Sequence, residues 1–113
     1  MKTNAKDPRH RLAELCRRLP DAIEVETWGH PTFRVGKKSF AAFEIVKQRP
    51  SVALHVGREQ ADLLQNDPRF FLTPYGRNEW ISIWADGRVP WKLVESLLAH
   101  SYQLAAPLKS SVR

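Results

Sequence analysis

The sequence predicts an α+β fold, a two-layer antiparallel sheet with helices packed on it. Apolar residues recur at helical spacing near both ends of the chain, and the runs between them alternate as strands do. Short turns join these strand-like runs, which favours antiparallel pairing. With 113 residues, 42% of them hydrophobic, the chain can bury one core. We therefore expect a single domain over residues 1–113, with flexible ends at about 1–6 and 108–113.

The first helix is predicted to begin at Pro8, because Asp7 can cap its free N–H groups and proline suits the first helical position. Pro20 ends this helix. Cys16 lies on its apolar side, so we expect a buried structural thiol rather than a reactive one. The residues of the apolar side are Leu12, Leu15, Cys16 and Leu19.

Four strands are predicted next, because apolar and polar residues alternate and turn-forming residues separate the runs. The third run is apolar on both faces, which is typical of a central strand. The runs extend from Ala22 to Glu26, from Thr32 to Val35, from Lys38 to about Val46 and from Ser51 to Val56, with breaks at Trp28–Pro31, Gly36-Lys37 and Lys47–Pro50.

The second half of the chain predicts a short helix from about Arg58 to Asn66 and a last helix from about Pro90 to Ala105. Between them, Phe70–Leu72 and Trp80–Ala85 are predicted strands. Thr73–Glu79 joins these two strands as a loop rich in turn formers. The predicted order is therefore helix, strands, helix, strands, helix.

The strand from Trp80 leaves the choice of its buried face open. Trp80 and Trp84 share one side of the strand, and Ile81 and Ile83 share the other. A two-layer sheet has only one face to bury against helices, so one of these pairs must lie on the less covered side. We expect the tryptophans in the core; the alternative is a partly exposed aromatic floor for a ligand or base.

The residue types that carry catalysis or bind metals form no recognisable constellation. Glu24 and Glu26 are interpreted as the polar side of a strand, and His30 as a turn histidine at a strand end. An enzyme would require a pocket that joins His30, Glu24 or Glu26, and Trp80. We expect no catalytic residues, no metal and no cofactor. The histidines are too scattered for a metal site: His10, His30, His55 and His100.

The chain has the features of a soluble cytoplasmic protein. Its one cysteine, Cys16, cannot form an intrachain disulfide. No stretch approaches the roughly 18 apolar residues of a membrane span, and the polar beginning lacks the apolar core of a signal peptide. We expect no membrane partner and, by default, a monomer.

The basic residues point to a polyanionic partner. The formal net charge is +6, which attracts phosphates without regard to sequence. Arg34, Lys37 and Lys38 lie at the tip of a predicted hairpin, and Lys47 and Arg49 lie in the next turn. A solvated basic hairpin with no partner is the alternative interpretation.

Five segments together resemble the MmcQ/YjbR family of small bacterial proteins. They cover nearly the whole chain, about residues 9 to 109, and their combination is specific although each segment alone is weak. The segments are Leu19–Ala22, Trp28–Phe40, Asp67–Phe71, Trp80–Ile83 and Ser101–Ala106.

The resemblance implies an α+β fold of the secretion-chaperone-like or frataxin-like kind, and DNA binding through two wings. The first wing corresponds to Phe33–Phe40, and the second is placed at Thr73–Trp80. The alternative function is a protein- or peptide-binding module without catalytic activity. The expected DNA-binding residues are Arg34, Lys37, Lys38, Lys47, Arg49, Arg77 and Asn78.

Overall fold

The computed structural model describes residues 7–107, so the ends predicted to be flexible lie outside the described residues. The order of elements is the predicted one. The helices are α1 (Pro8–Arg17), α2 (Arg58–Leu64) and α3 (Trp91–Ala105), and the strands are β1 (Ala22–Thr27), β2 (His30–Val35), β3 (Lys38–Val46), β4 (Arg49–His55), β5 (Phe70–Leu72) and β6 (Trp80–Trp84).

All six strands form one antiparallel sheet in the order β1-β2-β3-β4-β6-β5. The first four strands pair in chain order, each forming a hairpin with the next. The chain then passes through α2 to the edge strand β5 and returns as β6 between β5 and β4. Leu54 of β4 pairs with Ala41 on one side and with Ile81 on the other. The predicted α+β class and the predicted central position of β3 are confirmed.

Two-residue turns join the first four strands. Trp28 and Gly29 have φ of 54° and 81°, and Lys47 and Gln48 have φ of 52° and 67°. Positive φ at both central residues is the pattern of a type I′ turn, whose twist matches that of the flanking strands. Gly36, with φ of 61°, takes the first central position of the β2–β3 turn, where a type II′ turn requires glycine.

These tight turns correct two expectations. The break predicted over Trp28–Pro31 is only two residues long, and β2 already begins at His30. The loop predicted over Lys47–Pro50 is likewise a two-residue turn, so Arg49 and Pro50 belong to β4. Pro50 pairs with Ile45 and its carbonyl accepts a hydrogen bond from Ala85.

The helices cover one face of the sheet, and all three contribute to a single hydrophobic cluster. The pairing register shifts between Phe33 and Arg34, which leaves Phe40 without a partner opposite it. Phe40 is fully buried and meets the ring of Tyr102 on α3 edge-on, with centroids 5.6 Å apart. The core members from the helices and central strands are Leu12, Phe40, Val52, Leu54, Ile81, Ile83, Val94 and Leu98.

Cys16 is buried in this cluster, as predicted. Burial, the largest effect, raises the pKa of its thiol, and the charge of Glu24 raises it further. A thiol held protonated in an apolar core is a poor nucleophile.

None of the helices in residues 7–107 is long and apolar enough to span a membrane.

The expectation that the tryptophans of β6 lie in the core is wrong. Ile81 and Ile83 are buried under the helices, whereas Trp80 and Trp84 are half-buried on the opposite face. The ring of Phe71 stacks on Trp84 at 4.2 Å. The compact isoleucines fit between sheet and helices, and the flat aromatic rings cover the face that has no helix.

The assignment of faces predicts unequal losses from two Ile→Ala substitutions. Ile81 is 0% exposed and Ile45 of β3 is 53% exposed. We expect Ile81→Ala to lower the free energy of unfolding by about 2–5 kcal/mol, because it removes buried methyl groups and leaves a cavity. Ile45→Ala should cost less than about 1 kcal/mol. Urea denaturation followed by circular dichroism measures both, and equal losses would contradict the assignment.

Candidate functional site

The two predicted wings lie at the same end of the sheet. Val35 pairs with Lys38 across the β2–β3 turn, and His55, the last residue of β4, pairs with Trp80, the first residue of β6. The β2–β3 turn and the β5–β6 loop therefore extend from the same end of the sheet, with the end of β4 between them.

The first wing presents two free lysines. Lys37 and Lys38 are exposed, and within residues 7–107 neither has a carboxylate within ion-pair distance. Arg34 is half-buried, and its Nη2 donates a 2.8 Å hydrogen bond to the Lys37 carbonyl. Its Nε is buried without an acceptor among the described residues. Arg34 thus fastens the turn while the lysines supply the accessible charge.

The second wing is a compact loop built on backbone hydrogen bonds. The Gly76 N–H donates to the Thr73 carbonyl at 3.0 Å, and the Glu79 N–H donates to the Gly76 carbonyl at 2.9 Å. Arg77 and Asn78 follow at positive φ, 57° and 62°, and both side chains are exposed. The loop therefore presents an arginine and an amide side by side.

Glu79 anchors this loop to β4. Its carbonyl accepts hydrogen bonds from the N–H groups of Val56 at 3.0 Å and Gly57 at 2.9 Å. Its carboxylate lies 3.2 Å from His55 Nε2 and 3.9 Å from Arg58 Nη2. The base of the second wing is thus fixed beside the strand that separates the wings.

Lys47 and Arg49 lie at the opposite end of the sheet, beyond the far end of β3. The nine residues of β3 place the two ends about 26 Å apart at about 3.3 Å per residue. Arg49 is already engaged, because its Nε and Nη2 donate to Asp86 at 2.6 and 3.0 Å and its guanidinium lies 3.9 Å from the centroid of Trp84. Its hydrogen bond lowers the pKa of Asp86. Lys47 is exposed.

The face without helices carries a groove that the sequence did not predict. Its volume is about 550 Å³, and it lies between the β1–β2 turn and the β5–β6 loop. Thr32 and Ala42 form its floor, and small side chains there leave room above the sheet. The sequence pointed only to Trp80 of its lining, through the alternative in which Trp80 and Trp84 form a partly exposed aromatic floor. The other lining residues with rings or charges are Trp28, His30, Glu44, Tyr75 and Trp80.

Glu44 is the one carboxylate of the groove lining. Burial raises its pKa, and the nearby charge of His30 partly opposes that rise. The enzyme interpretation required a pocket that joins His30, Trp80 and either Glu24 or Glu26. The groove joins His30 and Trp80, but its carboxylate is that of Glu44. Within residues 7–107, no three His, Cys, Asp or Glu side chains cluster in a way that could hold a metal ion.

Comparison with solved structures finds the same fold in several proteins. A Deinococcus radiodurans protein with a DUF419 domain shares 24% identity over 82% of this chain and 74% of its own, with a TM-score of 0.70. A Pseudomonas syringae protein shares 19% identity over 86% and 97%, with a TM-score of 0.72. A Bacillus subtilis protein of the DUF1801 family shares 20% identity over 86% and 81%, with a TM-score of 0.57.

Comparison with protein families gives a match to the model of the YjbR family over residues 17–104. This range contains four of the five segments that carried the resemblance in full, and most of the fifth. No curated protein matches the chain.

The close packing of the second wing predicts that Gly76 tolerates no side chain. A Cβ there would lie 2.9 Å from Trp80 Cβ and 3.0 Å from the Thr73 carbonyl oxygen, whereas a Cβ at Gly87 would meet no atom within 4 Å. We expect Gly76→Ala to cost about 1–3 kcal/mol of stability through overpacking. Gly87→Ala is the matched control and should be nearly neutral. Equal unfolding midpoints in urea for the two variants would count against the loop as described.

The raised pKa of Glu44 predicts a pH-dependent effect of Glu44→Gln. A carboxyl whose folded-state pKa is raised favours the fold while it is protonated, and this contribution is lost as the pH rises above about 4.3 and through the folded pKa. At pH 7 the variant should therefore be more stable than the wild type, and at pH 3.5 the difference should shrink. Urea denaturation at both pH values measures this, with the exposed Glu26→Gln as control. A difference that is independent of pH would refute the assignment.

Proposed function

The chain belongs to the YjbR family, and we propose that it binds DNA by contacting the phosphate backbone with the two wings. The proposed contacts at the shared end of the sheet are Arg34, Lys37, Lys38, Arg77 and Asn78. Lys47 and Arg49, about 26 Å away, would reach only DNA that extends along β3. Arg49 would first have to leave Asp86.

The supporting observation is the set of unpaired cations at one end of the sheet. Lys37, Lys38 and Arg77 are exposed and lack a carboxylate partner among the described residues. Arg49 and Arg69, by contrast, donate to Asp86 and Asp67 at 2.6 and 2.7 Å. Unpaired cations gain most from a phosphate, because binding it breaks no existing ion pair and releases counterions from the DNA.

The lysines of the first wing would supply charge, and Arg77 and Asn78 of the second wing would supply oriented hydrogen bonds. Lysine ammonium groups act as point charges for phosphates, whereas the planar guanidinium of Arg77 can bind two oxygens of one phosphate. The amide of Asn78 carries both a donor and an acceptor, which suits a base edge. Phosphate contacts position the protein, so the wings alone would give little sequence preference.

The double variant Lys37→Glu/Lys38→Glu tests the proposal. Each lost phosphate contact should reduce the slope of log K against log salt by about 0.9, so the pair should reduce it by about 1.8. Affinity for a short duplex should fall as well. Fluorescence anisotropy of a labelled duplex at several salt concentrations measures both quantities.

The matched control is Arg88→Glu/Lys92→Glu, which makes the same change of net charge at two exposed residues away from both wings. It should leave the salt slope nearly unchanged. If both double variants lower affinity equally, the effect is one of net charge, and the wings do not form the site. Binding to a protein or peptide that salt does not weaken would favour the alternative module.

A further inference from the structure

Two aromatic side chains at the rim of the groove stand in unfavourable positions. Trp28 is 92% exposed and Tyr75 is fully exposed. Their φ values are 54° and 62°, in the left-handed region that bulky residues rarely adopt. Neither ring is buried in the core, so the fold gains little that would offset this strain. Strained residues of this kind tend to lie at functional sites.

Both rings line the same groove, together with a third. Trp80 is half-buried on the groove side of β6, with its ring centroid 5.4 Å from that of His55. Tyr75 and Trp80 come from the β5–β6 loop and the start of β6, and Trp28 comes from the β1–β2 turn, which is far from both in sequence. Their convergence on one groove offers flat surfaces for a planar ligand.

The charges of the lining select the kind of ligand. In a chain of net charge +6, the lining contains no lysine or arginine, and its titratable groups are Glu44, His30 and the Tyr75 hydroxyl. A phosphate would find no lysine or arginine inside. An uncharged ring with N–H groups fits better, because the Glu44 carboxylate can accept hydrogen bonds from it. The volume of about 550 Å³ lies in the range of small-ligand sites.

Two of the unpaired cations of the wings are next in sequence to residues that line this groove. Ser39 lines it and follows Lys38, and Gly76 lines it and precedes Arg77. A polymer whose phosphates meet Lys38 and Arg77 would therefore have its rings within reach of the groove. This arrangement of cations outside and aromatic rings inside is typical of single-stranded nucleic acid sites.

We propose that the groove takes an unpaired base of single-stranded DNA, whose two faces stack on rings from the set Trp28, Tyr75 and Trp80. The proposal rests on the DNA binding proposed above and adds a strand preference to it. A base within a duplex is stacked and paired, so it can enter only if it is extruded at an energetic cost. The protein should therefore bind single strands more tightly than duplexes.

The test removes the two rim rings without disturbing the turns. Asparagine tolerates positive φ, and Asn-Gly is favoured in a type I′ turn, so Trp28→Asn/Tyr75→Asn should retain the fold. We expect this variant to bind a labelled mixed-sequence 12-nucleotide DNA strand at least tenfold more weakly than the wild type. Its affinity for the corresponding duplex should change less than twofold. Leu63→Ala, at an exposed apolar residue of α2, is the control and should alter neither.

The outcomes separate this inference from the function on which it rests. If the wild type binds duplex in a salt-dependent way and the ring variant binds the single strand as well as the wild type does, the groove takes no base, while DNA binding stands. If the wild type binds neither form, DNA binding itself fails. A deoxynucleoside monophosphate that binds as tightly as the strand, or an RNA strand that binds more tightly, would overturn the assignment to a base of single-stranded DNA.

Discussion

The burial of one sheet face under three helices is the constraint on which the rest of the structure depends. Leu54 and Ile81 pair across β4 and β6 at the centre of that face, and both are almost completely buried. Because side chains alternate along a strand, the burial of Ile81 under the helices places Trp80, Ser82 and Trp84 on the opposite face. A one-residue slip of β6 would exchange the two sets and remove both the core and the aromatic face.

The geometry of the turns determines which side chains border the groove on the face of the sheet that has no helices. The tight β1–β2 turn holds Trp28 at one side of the groove, and the hydrogen-bonded β5–β6 loop holds Tyr75 at the other. Glu79 ties the loop to β4, so the distance between the two sides is set by the sheet rather than by a mobile linker. The strain at Trp28 is compatible with the fold because the strands on either side of it are paired along their whole length.

Periodicity and capping residues predict most of the fold, because they are local signals. Asp7 accepts a hydrogen bond from the Arg9 N–H and caps α1 as expected, and Gly36 occupies the turn predicted for it. The buried face of β6 could not be predicted. Alternation shows that the side chains of β6 form two sets on opposite faces, but not which set the helices cover. Arg49 was expected in a loop, and its pairing with Asp86, 37 residues later in the chain, is a tertiary contact. The groove depends on segments as distant as Trp28 and Tyr75, so no local pattern reveals it.

The separation of charge from aromatic surface explains why a basic chain would carry a groove that no lysine or arginine lines. Lysines in the groove would attract phosphates into it and also repel one another at close range. Placed instead at Lys37, Lys38 and Arg77, the cations can hold a backbone outside while the groove remains apolar enough for stacking. Glu44 fits this division, because a half-buried carboxylate repels phosphate and accepts hydrogen bonds from the N–H groups of a base. Phosphate contacts that position a strand and ring contacts that recognise its bases would then come from adjacent residues of the same turn and loop.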